Sequence, residues 1–340
     1  MSRASTWRRL IGYAPGVNKL FAALTGVFFA VIPSPAATNA VPATAGRTND
    51  AATVELQRLM EDDDATLDEV DQWIRDNNAF VAKGGGLSKD ELNKRIRPRL
   101  DSIRKRYQDF LRRYPTNAPA HLAYGTFLDD IGEEELGVAE FETARKLDPK
   151  DAAAWNNCAN FYGAHGSPTN AFALYTEAIR LKPDEPVYYQ NFATTVYLFR
   201  KDAREYYGID EARVFDKALE LYRKAIQLDP ANFALVTDYA ESYYGIKPLR
   251  TNDALISWTN ALKVASSENE REAVYIHLAR IKMAIGRYPE AHAHLAAVTN
   301  GFYDALKQRL ERNLAEREHP DTNRVETTTN TVSPANPTGK

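Results

Sequence analysis

Six histidines, one cysteine and 46 acidic side chains are available for catalysis in this 340-residue chain, and their spacing builds none of the familiar centres. The sequence holds no G-x-S-x-G nucleophile turn, no H-E-x-x-H zinc helix, no P-loop and no G-x-G-x-x-G dinucleotide loop. His292 and His294 are two residues apart, which on a helix turns their rings about 200° from each other, a poor arrangement for one metal. The run "EDDD" at 61–64 lacks the glycine and distant glutamate of a calcium loop and reads as a charged helix end or loop. Asp129 and Asp130 stand just before a turn and give no reason to invoke acid–base work. Cys158 is the only cysteine, so no intrachain disulfide forms, and its apolar setting makes it a small core side chain. These residues predict no catalytic group, no metal, no cofactor and no small-molecule substrate.

The chemistry that does recur is that of amides. Asn157 and Asn191 lie 34 residues apart, and Asp238 and His277 hold the corresponding places further along. Asn160, Thr194 and Arg280 follow three residues later in their segments, while Asn156 and Gln190 adjoin the first pair. Asparagine both donates and accepts, so a row of it can hold an extended backbone without demanding a particular sequence.

Periodic elements must position that row. Pro115, Pro149 and Pro183 recur at 34-residue intervals, and Pro230 follows. Each closes a helical pattern, because proline lacks an N–H and biases the preceding residue away from helix. Between Pro149 and Pro183, Trp155, Cys158, Ala159 and Tyr162 mark one helix, and Ala171, Tyr175 and Ala178 a second. The preceding segment keeps register through Tyr124, Gly125, Leu128, Gly137, Phe141 and Ala144. The following one starts with Tyr189, Phe192, Ala193 and Val196, but its second helix, with Ala218, Tyr222 and Ala225, arrives thirteen residues late. Two more segments run through Tyr239, Ala240, Ala254 and Trp258, then Tyr275, Ala279, Ala291 and Leu295.

This pattern resembles the tetratricopeptide repeat, W-x2-L-G-x2-Y…A-x3-F…P, with the Leu and Gly softened to Cys158 and Ala159. The resemblance implies an all-α fold, a right-handed solenoid of stacked antiparallel helix pairs, with small residues where paired helices cross. Its units are expected at 118–151, 152–185, 186–232, 233–270 and 272–302, after a half unit at about 100–117. It also implies that the first helix of each pair lines a concave groove. The protein or peptide partner would meet Asn156, Asn157, Asn160, Gln190, Asn191, Thr194 and Arg280 there. The groove places Leu122, Thr126 and Val187 carry no cation, which argues against a clamp for a partner's terminal carboxylate. The function implied is a non-catalytic interaction scaffold. An accessory factor docking a cell-envelope enzyme is the alternative, and an enzyme in its own right the third reading.

The late second helix leaves the insertion "VYLFRKDAREYYGIDEARVF" at 196–215. If the preceding helix ran on to Tyr207, it would project roughly 20 Å further at 1.5 Å per residue. Tyr197, Phe199, Arg200, Arg204, Tyr206 and Tyr207 would then form an aromatic ridge suited to a protein interface. The other arrangement folds the ridge back as core. Gly208 is placed to end a helix and Asp210 to start one.

The flanks complete the organisation. Residues 46–99 are expected to form capping helices, with starts at the Thr66/Glu69 and Ser88/Glu91 pairs and a kink or break at Pro98. Residues 303–317 read as a C-terminal capping helix with Leu306, Leu310 and Leu314 on one face, and 318–340 as a disordered tail. Residues 1–45 join a basic start, thirteen uncharged residues from Leu20 to Ile32, and a run of small residues. That succession describes a secretory signal for a periplasmic or secreted protein, with a retained membrane anchor at 20–32 as the alternative. Residues 1–40 hold four basic and no acidic side chains, so the remainder sets 39 basic against 46 acidic residues, a charge of −7. No concentrated basic face appears, which argues against nucleic acid as a partner.

Overall fold

The computed structural model describes residues 51–319, and every regular element among them is helical. The signal or anchor expected over 1–45 and nearly all of the 318–340 tail lie outside the described residues. No described helix is long and apolar enough to cross a membrane.

The first elements are α1 (Ala51–Val81) and α2 (Lys89–Arg113), packed as an antiparallel hairpin. Two expectations fail here. Thr66 starts nothing, because α1 runs through it and buries it. The acidic run at 61–64 is neither a helix end nor a loop, because α2 presents a basic and hydroxyl-bearing face to it. Asp62 pairs with Arg106 at 2.7 Å, Glu69 with Arg99 at 2.6 Å, and the buried Asp63 accepts a 2.7 Å hydrogen bond from the Tyr107 hydroxyl. The Ser88/Glu91 capping box does form, and α2 continues through Pro98, whose missing N–H falls on an exposed stretch.

Helix pairs follow. α3 (Ala118–Asp130) packs on α4 (Glu134–Leu147), and α5 (Ala152–Ala164) on α6 (Pro168–Leu181). α7 (Pro186–Leu198) packs on α9 (Glu211–Leu228), with the short α8 (Arg200–Tyr207) between them in sequence. The Asn117 and Asp151 side chains cap α3 and α5. Ala144, Ala159, Ala171, Ala178, Ala218 and Ala225 are each at most 1% exposed, which lets paired helices approach closely. Tyr107, Phe110, Tyr175 and Tyr222 fill the spaces between pairs.

The chain divides into two compact units, one ending at Leu235 and the other beginning at Val236. α10 (Phe233–Ser242) carries the boundary and leads into a 3-10 turn, Tyr243–Gly245. Within the second unit, α11 (Thr251–Val264) and α13 (Tyr288–Ala296) pack on α12 (Glu268–Ala284). A second 3-10 turn, Gly301–Tyr303, then introduces α14 (Asp304–Glu318), which packs on α13. That turn is anchored by Glu272, whose carboxylate accepts from the Thr299 N–H and hydroxyl and from the Asn300 N–H. α14 closes the unit with Leu310 and Leu314 buried and Leu306 half-buried.

Candidate binding site

The recurring amides occupy one face of α5 and α7. They divide by depth. Asn157 and Asn160 on α5 are half-buried, whereas Asn156, Gln190, Asn191 and Thr194 are interior, each at most 5% exposed. All of α7 from Tyr188 to Tyr197 is buried, so this helix is covered on every side.

The interior amides brace the outer ones. Asn191 Nδ2 donates to Asn156 Oδ1 at 3.1 Å, and Asn156 Nδ2 donates to Asn157 Oδ1 at 3.2 Å. Asn160 Oδ1 accepts from the Tyr175 hydroxyl at 2.8 Å, and the Thr195 hydroxyl, which donates to the Asn191 backbone carbonyl, lies 3.2 Å from the same phenol oxygen. Thr194 Oγ1 donates to the Gln190 carbonyl at 3.0 Å and lies 2.7 Å from the Tyr222 hydroxyl, which donates to it. Burial pushes the Tyr175 phenol well above its ordinary range, so it stays a donor.

The insertion does not extend α7. The chain turns at Phe199, half-buried, which ends α7 and begins α8, and Gly208 ends α8 in the left-handed conformation at φ 62°. The turn brings two aromatic rings back onto α6. Tyr207 stacks on Phe172 with ring centres 5.8 Å apart, and Tyr206 meets the same ring edge-on at 5.4 Å. Packing these rings against Phe172 is favourable, while a straight helix would leave both in water. Tyr197 is interior, and Arg200 bonds Glu211 and the Tyr197 carbonyl while lying over the Tyr197 and Phe215 rings. Of the six ridge residues, Arg204 and Tyr206 are the exposed ones.

In the second unit Arg280 lies 4.4 Å above the Tyr244 ring. The Tyr244 hydroxyl is 3.0 Å from His277 Nδ1, and the His277 ring stacks on Trp258 at 3.9 Å. Glu241 is buried beside this stack, and burial first, then the Asp238 carboxylate, push its carboxyl up to about 8. Sequence reasoning missed Glu241 and Tyr244. Register could have found Glu241, which stands three residues after Asp238 as Asn160 does after Asn157. His292 and His294 diverge, one facing Glu318 at 3.0 Å and the other stacked on Tyr275. Among the described residues no three His, Cys, Asp or Glu side chains could hold a metal together.

Antiparallel helix pairs, alanines at their crossings and second helices closed before prolines make this the tetratricopeptide-repeat fold. No protein-family model matches the sequence, and comparison with curated proteins finds no match. Among solved structures, PilW, a widely conserved type IV pilus biogenesis factor, is 14% identical over 75% of this chain and 94% of its own, with a TM-score of 0.52. Pseudomonas aeruginosa PilF is 15% identical over 73% of this chain and 99% of its own, with a TM-score of 0.49. YrrB, a TPR protein with an unusual peptide-binding site, is 12% identical over 64% of this chain and 97% of its own, at 0.44. At 14% identity the likeness to PilW speaks for the fold alone.

Proposed function

We propose that the protein is a non-catalytic interaction scaffold that holds a protein or peptide segment on the inner face of its helix pairs. The observation that supports this reading is the bracing of Asn157 and Asn160. Both are accessible, and both are oriented from behind by interior partners, Asn156 with Asn191 and Tyr175. A fixed amide loses little rotamer freedom when it binds, so its hydrogen bond to a partner backbone is kept nearly whole. Gln190, Asn191 and Thr194 act in this scheme as supports. Arg204 and Tyr206 offer a second contact on the insertion, and Arg280 one in the second unit. The basic, apolar and small-residue succession at 1–45 supports export, which recovery of an uncleaved chain from the cytosol would refute.

The test is crosslinking capture of partners by the full chain. Asn157→Ala/Asn160→Ala is expected to lose a partner that the parent captures, while Arg204→Ala/Tyr206→Ala measures the insertion separately. Capture unchanged in both double variants refutes the reading.

A further inference from the structure

A second surface carries unneutralised charge. Several basic side chains in the earlier helices are ion-paired: Arg99 with Glu69, Arg106 with Asp62, Arg145 with Glu142, Arg180 with Glu177. Three cations of α9 are free of such pairing: among the described residues Lys217, Arg223 and Lys224 take part in no ion pair, and Arg223 and Lys224 are exposed. They line an open cleft of about 500 Å³ between α9 and Tyr189 of α7, together with Glu220 and Leu221.

The helix repeat shows what has changed. The alanine and tyrosine positions of α9 match those of α6 at an offset of 47 residues, so Lys224 stands where α6 has Glu177 and Lys217 where it has Asn170. In α6 that glutamate is bonded twice by Arg180. In α9 the row is inverted to cationic and its internal partner is lost, while Leu221 keeps the apolar place of Leu174. The cations are also positioned. The Lys217 ammonium rests 4.3 Å above the Tyr207 ring, which the folded-back insertion supplies, and Arg223 Nε donates to the Leu219 carbonyl.

We propose that this cleft is a docking surface for an acidic polypeptide segment, separate from the amide-lined inner face. Lys217 and Lys224 are two helical turns apart, roughly 10 Å at 1.5 Å per residue, so one inorganic phosphate cannot engage both without bending both side chains toward it. Several carboxylates along a chain can, with Leu221 and the Tyr189 ring as an apolar floor. Three cations and one glutamate are too few for the extended phosphate backbone of a nucleic acid.

The experiment uses the full chain and acetylated hexaglutamate amide, followed by titration calorimetry at low and at physiological salt. The peptide should bind saturably, and Lys217→Glu/Lys224→Glu should weaken it about tenfold or more, as should raised salt. Lys224→Gln, at an exposed side chain, should give a smaller loss in the same direction and guards against misfolding of the double variant. Lys263→Glu on α11 should change nothing. Absence of binding overturns the proposal, as does an equal loss from Lys263→Glu. Tighter binding of inorganic phosphate or of a short DNA duplex by the same surface also overturns it. Failure here leaves the inner-face reading untouched, because that rests on the asparagine variants.

Discussion

Gly125→Ala tests the packing logic of the helix pairs most directly. A Cβ placed on Gly125 would lie 2.7 Å from two carbons of the Phe141 ring and 3.0 Å from the Gly137 carbonyl oxygen. Phe141 is 4% exposed and the carbonyl belongs to the facing helix, so neither can yield without spreading α3 from α4. Overpacking of this kind costs about 1–3 kcal/mol. Replacing glycine inside a helix offsets about 1 kcal/mol of it. The net expectation is a loss of up to about 2 kcal/mol. Gly163 provides the contrast. Its Cβ would meet Thr195 Cγ2 at 3.2 Å, with Thr195 Oγ1 and Ala171 Cβ at 3.6 Å, so a shift of a few tenths of an ångström suffices. There the helix preference prevails, and Gly163→Ala should be neutral or stabilising by up to about 1 kcal/mol. The urea midpoint of Gly125→Ala should fall while that of Gly163→Ala holds or rises, and amide exchange in α3 and α4 should quicken in Gly125→Ala alone. If both midpoints move the same way, or Gly125→Ala unfolds later than the parent, the close crossing of these helices is refuted.

Tyr107→Phe removes the donor to the buried Asp63 and should cost about 1–3 kcal/mol in urea unfolding, far more than an exposed Tyr→Phe change such as Tyr206→Phe. Glu241 gives the protein a pH signature. Its carboxyl stays protonated in the folded chain up to about 8, whereas the unfolded chain ionises near 4.5, so stability falls as pH rises between those values. The slope for one proton is about 1.4 kcal/mol per pH unit, and Glu241→Gln should flatten it between pH 6.5 and 7.5 in thermal melts. An unchanged slope would mean that Glu241 is solvated. Tyr207→Ala, which strips a ring stacked on Phe172, should cost about 3 kcal/mol and Tyr206→Ala about half that. Equal costs would place the two rings in equivalent surroundings.

The helix pairs were readable from single residues because each pair buries the same small and aromatic positions relative to its closing proline, as Ala144, Ala178 and Ala225 show before Pro149, Pro183 and Pro230. What periodicity could not reveal is contact between elements far apart in the chain. The acidic run at 61–64 looked like a helix end because its partners, Arg106 and Tyr107, lie 44 residues on and their pattern suggests no special link to it. Thr66 satisfied a capping pattern locally, yet the same hairpin pairing carries α1 past it. At the insertion, the choice between a projecting helix and a fold-back was decided by Phe172, in the preceding unit. The amide-bearing face divides for the same reason. Register located Asn157 and Asn191 as equivalent places, but it carries no information on depth, and α7 is covered while α5 is not. The 34-residue rhythm therefore identifies equivalent helix positions, and the segment that breaks the rhythm shapes the surface around them. The same insertion buries Tyr207 on α6 and sets that ring beneath Lys217, so the departure from periodicity also furnishes the edge of the basic cleft.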